Sequence, residues 1–419
     1  MDSVRERVMN TKITKEERNW ILYDVGNSAF IMLVTTIIPI YFNYLAGNAG
    51  LSDVEYLAYW GYAASFATLV VAILGPICGS IADTKGFKKP IFIISLAVGA
   101  GCCIGMGFAK SWLAFLIIFF VAKVGYSGSL IFYDSMLPDI TCEDKMDRVS
   151  SLGYAYGYIG SCIPFIVCLV IVLGADKLGI TMSAAMAISF AITAVWWIAV
   201  TIPLIKTYKQ KHYVEREKGA IKKSFIRIGQ TFKNIKKEKK AFFFLLAFFF
   251  YIDGVYTIID MATAYGSALG LDSTGLLLAL LVTQIVAFPC ALIYGRLSKK
   301  VGAEKLIMVC ILAYTGIALF AIILQTQLQF WVLAVLVGMF QGGIQALSRS
   351  YFTKIIPANQ SGEFFGLYDI CGKGAAFMGT ALVSIVSQLT GSTNAGVGTI
   401  SIMFIIGLIL FVRVVRMEK

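Results

Sequence analysis

Eight ionisable side chains stand inside otherwise apolar stretches of this chain: Asp24, Lys123, Asp134, Asp253, Asp260, Arg349, Asp369 and Lys373. A charge at the centre of a spanning helix costs about 2.5–3.5 kcal/mol on insertion scales, so one that persists binds something or belongs to a pair. Carboxylates there can load a proton or a cation, because desolvation disfavours the bare charge. Lys and Arg can take a carboxylate. No His and metal constellation, nucleophile elbow or phosphate-cradling loop accompanies them, so the residues suit binding and not bond making.

Spacing sorts them by depth. At about 1.5 Å of rise per residue, Lys123, Asp253 and Lys373 each lie about 18 Å inside their helices, near the level where a spanning bundle holds a ligand. Asp253, Tyr256 and Asp260 share one helical face, and Gln341, Gln345 and Arg349 share another. With Tyr126 they form the expected solute contacts: Lys123, Lys373, Tyr126, Asp253, Tyr256, Gln341 and Gln345. A cation for a carboxylate, Asp for an amine, and Gln and Tyr for hydrogen bonds suit a zwitterion or a polyol. Stripes of Gln and Tyr also join helices without any ligand, so each residue carries that second reading.

Asp24, Asn27, Asp134 and Arg349 lie nearer one face and are expected to form a gate or a coupling site. Lys123, Ser127 and Asp134 fall on one stripe, but Lys123 and Asp134 are about 16 Å apart along the axis and cannot neutralise each other. Asp369 and Lys373 are spaced i to i+4, and either pair with each other or meet solute. A buried Asp that takes up a proton or sodium ion would couple flux to an ion gradient, and Asp24 and Asp253 are best placed for it. His212, the sole histidine, stands in a loop and reads as incidental.

The elements that must position these residues follow from composition. Of 419 residues 58% are hydrophobic and 14% charged, too little polar surface to cover a water-soluble fold. A spanning helix needs about 20 largely apolar residues. The chain supplies them at 20–45, 55–83, 88–109, 112–138, 148–174 and 181–206, and again at 241–269, 274–299, 303–325, 329–356, 361–390 and 396–416. The expectation is an all-α membrane protein of twelve spans in two six-helix bundles. Residues 1–206 form the first, 207–240 a basic linker and 241–419 the second. In the linker, Ile221, Phe225, Ile228, Phe232 and Ile235 recur among lysines, which reads as an amphipathic helix on the membrane surface or as a solvated basic loop.

The net charge of +12 does not point to nucleic acid, because the basic residues fall in alternate loops and not on one folded face. Arg5 to Arg18, Lys85 to Lys89, Lys206 to Lys240, Arg296 to Lys305 and Arg413 to Lys419 all belong to one side. By the positive-inside rule that side, with both termini, is cytoplasmic. The nine cysteines lack a C-x-x-C spacing, so neither a metal site nor a disulfide framework is expected, and no cofactor. The charged first residues run directly into a full span, so no cleavable signal is expected.

Two loops match in the two halves. Gly79-Ser-Ile-Ala-Asp-Thr-Lys-Gly86 follows the second span and Gly295-Arg-Leu-Ser-Lys-Lys-Val-Gly302 the eighth, as duplication of a six-helix unit predicts. The first, with Asp83, Lys88 and Lys89, resembles the signature loop of major facilitator transporters. That resemblance implies that Asp83 and the basic residues latch the cytoplasmic ends of the halves together; Lys299 replaces the acid in the second copy, so only the first is expected to latch. Three blocks resemble the vacuolar-effluxer-like family more narrowly: Tyr23-Asp24-Val-Gly-Asn27-Ser28-Ala29-Phe30, Gly342-Gly343-Ile-Gln345-Ala-Leu-Ser348-Arg349-Ser350, and Glu363-Phe-Phe-Gly366-Leu-Tyr368-Asp-Ile-Cys-Gly372-Lys373.

That family's autophagy-related fungal members export amino acids from the vacuole, which implies a bacterial inner-membrane transporter of a small polar solute, an amino acid first, coupled to protons or sodium. A cation-coupled sugar symporter and a non-transporting receptor or lipid-handling protein on the same scaffold are the alternatives.

Overall fold

The computed structural model describes residues 12–216 and 238–417. The amphipathic segment expected at 221–235 lies outside the described residues. So do the side chains of Asp260 and Lys373.

Twelve helices cross the bundle. The first, α1 (Lys15–Asn48), is made of Lys15–Thr35 and Ile37–Asn48. There follow α2 (Asp53–Ala82), α3 (Lys88–Met106), α4 (Trp112–Ser135), α5 (Glu143–Leu173) and α6 (Met182–Thr207). The second half holds α7 (Lys239–Ala268), α8 (Ser273–Val301), α9 (Ala303–Ile322), α10 (Gln327–Ile355), α11 (Ser361–Thr390) and α12 (Ile400–Arg416). Eleven have the length and apolarity of a membrane span, and α11, 30 residues long, completes the set.

Local chemistry sets the ends. Thr14 accepts from the Glu17 amide while the Glu17 carboxylate accepts from the Thr14 amide, so α1 starts five residues earlier than apolarity alone suggests. The same reciprocal cap opens α2 at Ser52 and Glu55, and α10 at Thr326 and Gln329. Within α1 the helix breaks at Thr36, whose hydroxyl donates to the Met32 carbonyl, three residues before Pro39. Proline has no N–H and crowds the carbonyl four residues back, so a break just ahead of it is expected.

The two repeated loops turn the same way. Gly86 and Gly302 both hold positive φ, +81° and +92°, which a side chain would disfavour. They differ in what precedes them, for Asp83 is fully buried and Lys299 is exposed.

The halves meet along α2 with α11 and α5 with α8 and α10. The approach is closest at the end of the bundle where α1 begins and α2 ends, called here the basic end. There Gly79 of α2 lies on Gly362 of α11, and Gly366 lies on Pro76. A Cβ on Gly79 would collide with the Gly362 backbone, and one on Gly366 would come 2.6 Å from Pro76 Cα. Small residues let the backbones touch, as in tightly packed membrane helices.

Candidate functional site

The basic end is closed by an ion cluster built from both halves. Arg349, on α10, is 1% exposed and spends every guanidinium nitrogen. Nη2 donates to Asp24 Oδ2 at 3.1 Å and to the Ser150 carbonyl at 3.0 Å; Nη1 donates to Asp134 Oδ1 at 3.0 Å; Nε donates to Ser150 Oγ at 2.9 Å. Asp24 comes from α1, Asp134 from α4 and Ser150 from α5, so one side chain of the second half ties three helices of the first. The planar fork suits this, since its donors point in fixed directions.

Aromatic rings wall the cluster. The guanidinium carbon lies 4.7 Å from the Trp20 ring centroid and 4.3 Å from that of Tyr154, within cation–π range. Tyr133 stacks on Trp20 at 4.4 Å and donates its hydroxyl to Asp24 Oδ2 at 2.8 Å. Asn27 Nδ2 donates to Asp24 Oδ1 at 3.3 Å. Gly153 of α5 faces this pair, and a Cβ there would collide with the Asp24 carboxylate. Charges this deep need such full hydrogen bonding to offset desolvation.

A second lock stands beside it. Asp83 Oδ1 accepts from the Gly362 amide at 2.8 Å and Oδ2 from the Glu363 amide at 2.9 Å, so the carboxylate sits on the first turn of α11. Helix N-termini carry unsatisfied N–H groups and partial positive charge, which an acid complements. Lys88 Nζ lies 3.4 Å from Asp83 and donates to Ser361 Oγ at 2.8 Å and the Ser135 carbonyl at 3.2 Å. A third cross-link joins Lys354 of α10 to Asp147 of α5 at 2.7 Å.

The chain leaving α6 straps this end from outside. Asp139, in the short helix Leu137–Ile140, accepts from Tyr208 Oη at 2.6 Å, from the His212 amide at 2.8 Å and from the Lys211 amide at 3.1 Å, and contacts His212 Nδ1 at 3.0 Å. Gln210 donates to the Ala82 carbonyl and accepts from the Gly86 amide, and Thr84 bridges to Val214. His212, incidental by sequence, is therefore part of a strap over the signature loop.

Toward the middle of the bundle the charges are joined by tyrosines. Tyr154 of α5, Tyr256 of α7, and Tyr368 and Asp369 of α11 are half-buried, as are Asp134 and Lys123 of α4. Tyr154 and Tyr368 lie within electrostatic reach of each other and each of Tyr256 and Asp134, and Asp369 lies within reach of Asp134. Gln345 of α10 accepts from Tyr158 Oη at 2.7 Å, which links α10 to α5. Gln341 is buried and lines a small apolar pocket with Thr283, Gln284 and Val337.

Two of the expected solute contacts have packing partners of their own. Tyr126 packs against Phe30 and Trp197 at 5.1 and 5.8 Å between centroids and also lies within electrostatic reach of Tyr256 and Asp369. Asp253 is fully buried between α7 and α11, with Thr257 and the Gly379 amide as its hydrogen-bond partners. Lys123 is half-buried on α4 and is not among the groups hydrogen-bonded to Asp253. The residues that sequence reasoning missed are Trp20, Tyr133, Ser150 and Tyr154, all around Arg349. Tyr133 directly precedes Asp134, and Gly153 marks the approach of α5, but neither identifies a cross-half contact before the helices are packed.

Twelve helices in two halves, locked at one end by ion pairs between them, define a major facilitator transporter. Solved structures agree on the fold: the human organic anion transporter MFSD10 at TM-score 0.72, 13% identity, covering 94% of this chain and 99% of that one. FucP in the outward conformation aligns at TM-score 0.71 and 14% identity, covering 96% and 97%. The family described as vacuole effluxer Atg22-like matches residues 13–419, and the chain belongs to that family. An MFS-type transporter of Bacillus subtilis (strain 168), YxiO, is 43% identical over 407 residues, 96% of this chain and 95% of that protein. Autophagy-related protein 22-1 of Neosartorya fischeri is 24% identical over 294 residues, 64% of this chain and 48% of the relative, so the chain spans about half the length of this fungal relative.

Proposed function

We propose that this protein is a secondary transporter of the bacterial inner membrane that moves a small polar solute, an amino acid first, by alternating access coupled to protons or sodium. The basic end is assigned to the cytoplasm from the distribution of Lys and Arg between loops. One observation carries the reading: Arg349 of the second half is held by Asp24 and Asp134 of the first, at the basic end of a two-bundle molecule. An ion lock at one end of a rocking pair of bundles is what an outward-facing state requires, and its release gives the inward-facing one.

The solute binds above the lock. Tyr154, Tyr256 and Tyr368 offer ring faces and hydroxyls, Asp369 attracts an amine, and Lys123 attracts a carboxylate. The mixed polarity with aromatic walls favours a zwitterion with an apolar side chain over a sugar, which would call for more amide groups than Gln341 and Gln345 supply. The family description as effluxers fits export. Uptake of labelled leucine, tyrosine and a disaccharide panel into proteoliposomes tests this. Saturable flux of leucine or tyrosine that is lost in Asp369→Asn is the expected result; saturable flux of sugar alone would overturn the amino acid assignment, and no flux of any solute would favour a receptor.

A further inference from the structure

Asp253 is a carboxyl that the gate does not use. It is fully buried in α7, and the two oxygens are treated differently. Oδ1 accepts from the Gly379 amide at 3.1 Å and from Thr257 Oγ1 at 3.3 Å. Oδ2 is buried and has no hydrogen-bond partner among the described residues.

The pocket is shaped for this carboxyl. A Cβ on Gly379 would lie 2.6 Å from Asp253 Oδ1 and would collide with Thr257 Oγ1, so glycine is what lets α11 offer a backbone N–H here. The next residue along α7, Gly254, is covered by the Phe404 ring of α12. Among the described residues the groups that act on Asp253 from α7 and α11 are Thr257 and Gly379, neither of them charged. Lys373, whose side chain lies outside the described residues, stands six positions before Gly379, about 9 Å along α11.

A bare carboxylate with an empty oxygen in this place would cost several kcal/mol of desolvation, whereas the neutral acid costs far less. A metal cation needs several oxygen ligands, but Oδ1 already faces an N–H, whose positive end would repel it. A proton needs one oxygen. We infer that Asp253 is the proton-binding site of this transporter, with the proton on Oδ2 in the state seen here, and that it acts apart from the solute contacts and from the Arg349 lock.

The chemistry balances simply. Oδ2 takes a proton from water at one face of the membrane and returns it to water at the other, so that only an O–H bond forms and breaks. The coupling role rests on the reading of the chain as an ion-coupled carrier; the protonation state does not.

The test therefore has two readouts. Infrared difference spectra of the purified protein, followed through a pH titration in potassium buffer, are expected to show at neutral pH the carbonyl stretch of a protonated carboxylic acid that vanishes in Asp253→Asn and persists in Asp24→Asn. Thr257→Val, which removes only one bond to Oδ1, should shift that band without abolishing it and serves should the Asn variant fail to fold. Absence of the band at neutral pH in wild type, or its loss on adding sodium chloride, would overturn the proposal in favour of an ion pair or a sodium site. In proteoliposomes carrying labelled leucine, wild type should concentrate solute along an imposed proton gradient, and Asp253→Asn should exchange leucine but only equilibrate it. Uphill accumulation by Asp253→Asn equal to wild type would also overturn it. Failure of leucine to move in wild type would instead sink the solute assignment and leave the infrared result to decide this one.

Discussion

Arg349 and Asp24 lie 325 residues apart in sequence and 3.1 Å apart in space, one from each half of the molecule. Their pairing is an ion pair between the two halves. In the proposed alternating-access cycle, whatever weakens it without unfolding either bundle shifts the balance between the two states.

Replacing Arg349 by Gln strands Asp24 and Asp134. Removing one partner of a buried pair costs about 3–5 kcal/mol, which here falls on the closed state alone. Arg349→Gln is therefore expected to open the basic end, read as labelling of an introduced Ser361→Cys by an impermeant maleimide, since Ser361 is fully buried at the closed interface. Arg349→Lys should label nearly as well, because an ammonium cannot serve Asp24, Asp134 and Ser150 together. Unchanged protection in both variants would remove the lock from the mechanism.

Coupling within the cluster is measurable. Asp24→Asn, Asp134→Asn and Arg349→Gln, combined pairwise in thermal denaturation, should show interaction energies of about 0.5–3 kcal/mol for the two pairs that include Arg349. Strict additivity would mean that the contacts contribute nothing as a network.

Gly79 and Gly366 permit the contact of α2 with α11. Gly79→Ala and Gly366→Ala are each expected to pry the basic end apart while leaving each half folded, with Ser361→Cys again as the reporter. Gly101→Ala, a position with open space around it, should leave labelling as in the parent protein.

Asp83→Asn removes the charge that faces the first turn of α11 and Lys88. A helix-terminal charge interaction is worth about 0.3–2 kcal/mol, so the expected shift toward the open state is smaller than that of Arg349→Gln. A larger effect on Ser361→Cys labelling than that of Arg349→Gln would reverse the ranking of the two locks.

The strap at Asp139 predicts a pH response by its absence. Burial, and then the neighbouring Asp139 charge, push the Tyr208 phenol well above its ordinary value of 10.0. A group raised on folding adds stability that is complete below its unfolded value and is lost as pH climbs through the folded one. Tyr208 should therefore keep donating to Asp139 at all physiological pH values and let go only above about pH 10. Limited trypsin cleavage after Lys209 and Lys211 should be slow and flat from neutral to mildly alkaline pH, and much faster in Asp139→Ala.

What residue order determined by itself is the scaffold. Spans follow from apolar runs of about 20 residues, and the duplicated turn from Gly86 and Gly302, because each depends on neighbours along the chain. It also marked Asp24, Asp134 and Arg349 as charges that needed a reason to be buried. Which charges meet was decided only by packing. Depth along a helix can be counted, but the rotation of α7 that turns Asp253 toward Gly379, and of α10 that turns Arg349 toward α1, α4 and α5, depends on side-chain contacts among helices far apart in sequence. The strap from Tyr208 to Val214 escaped for the same reason: its hydrogen bonds are made to Asp139 and to the loop at Asp83, which only the closed bundle brings beside it.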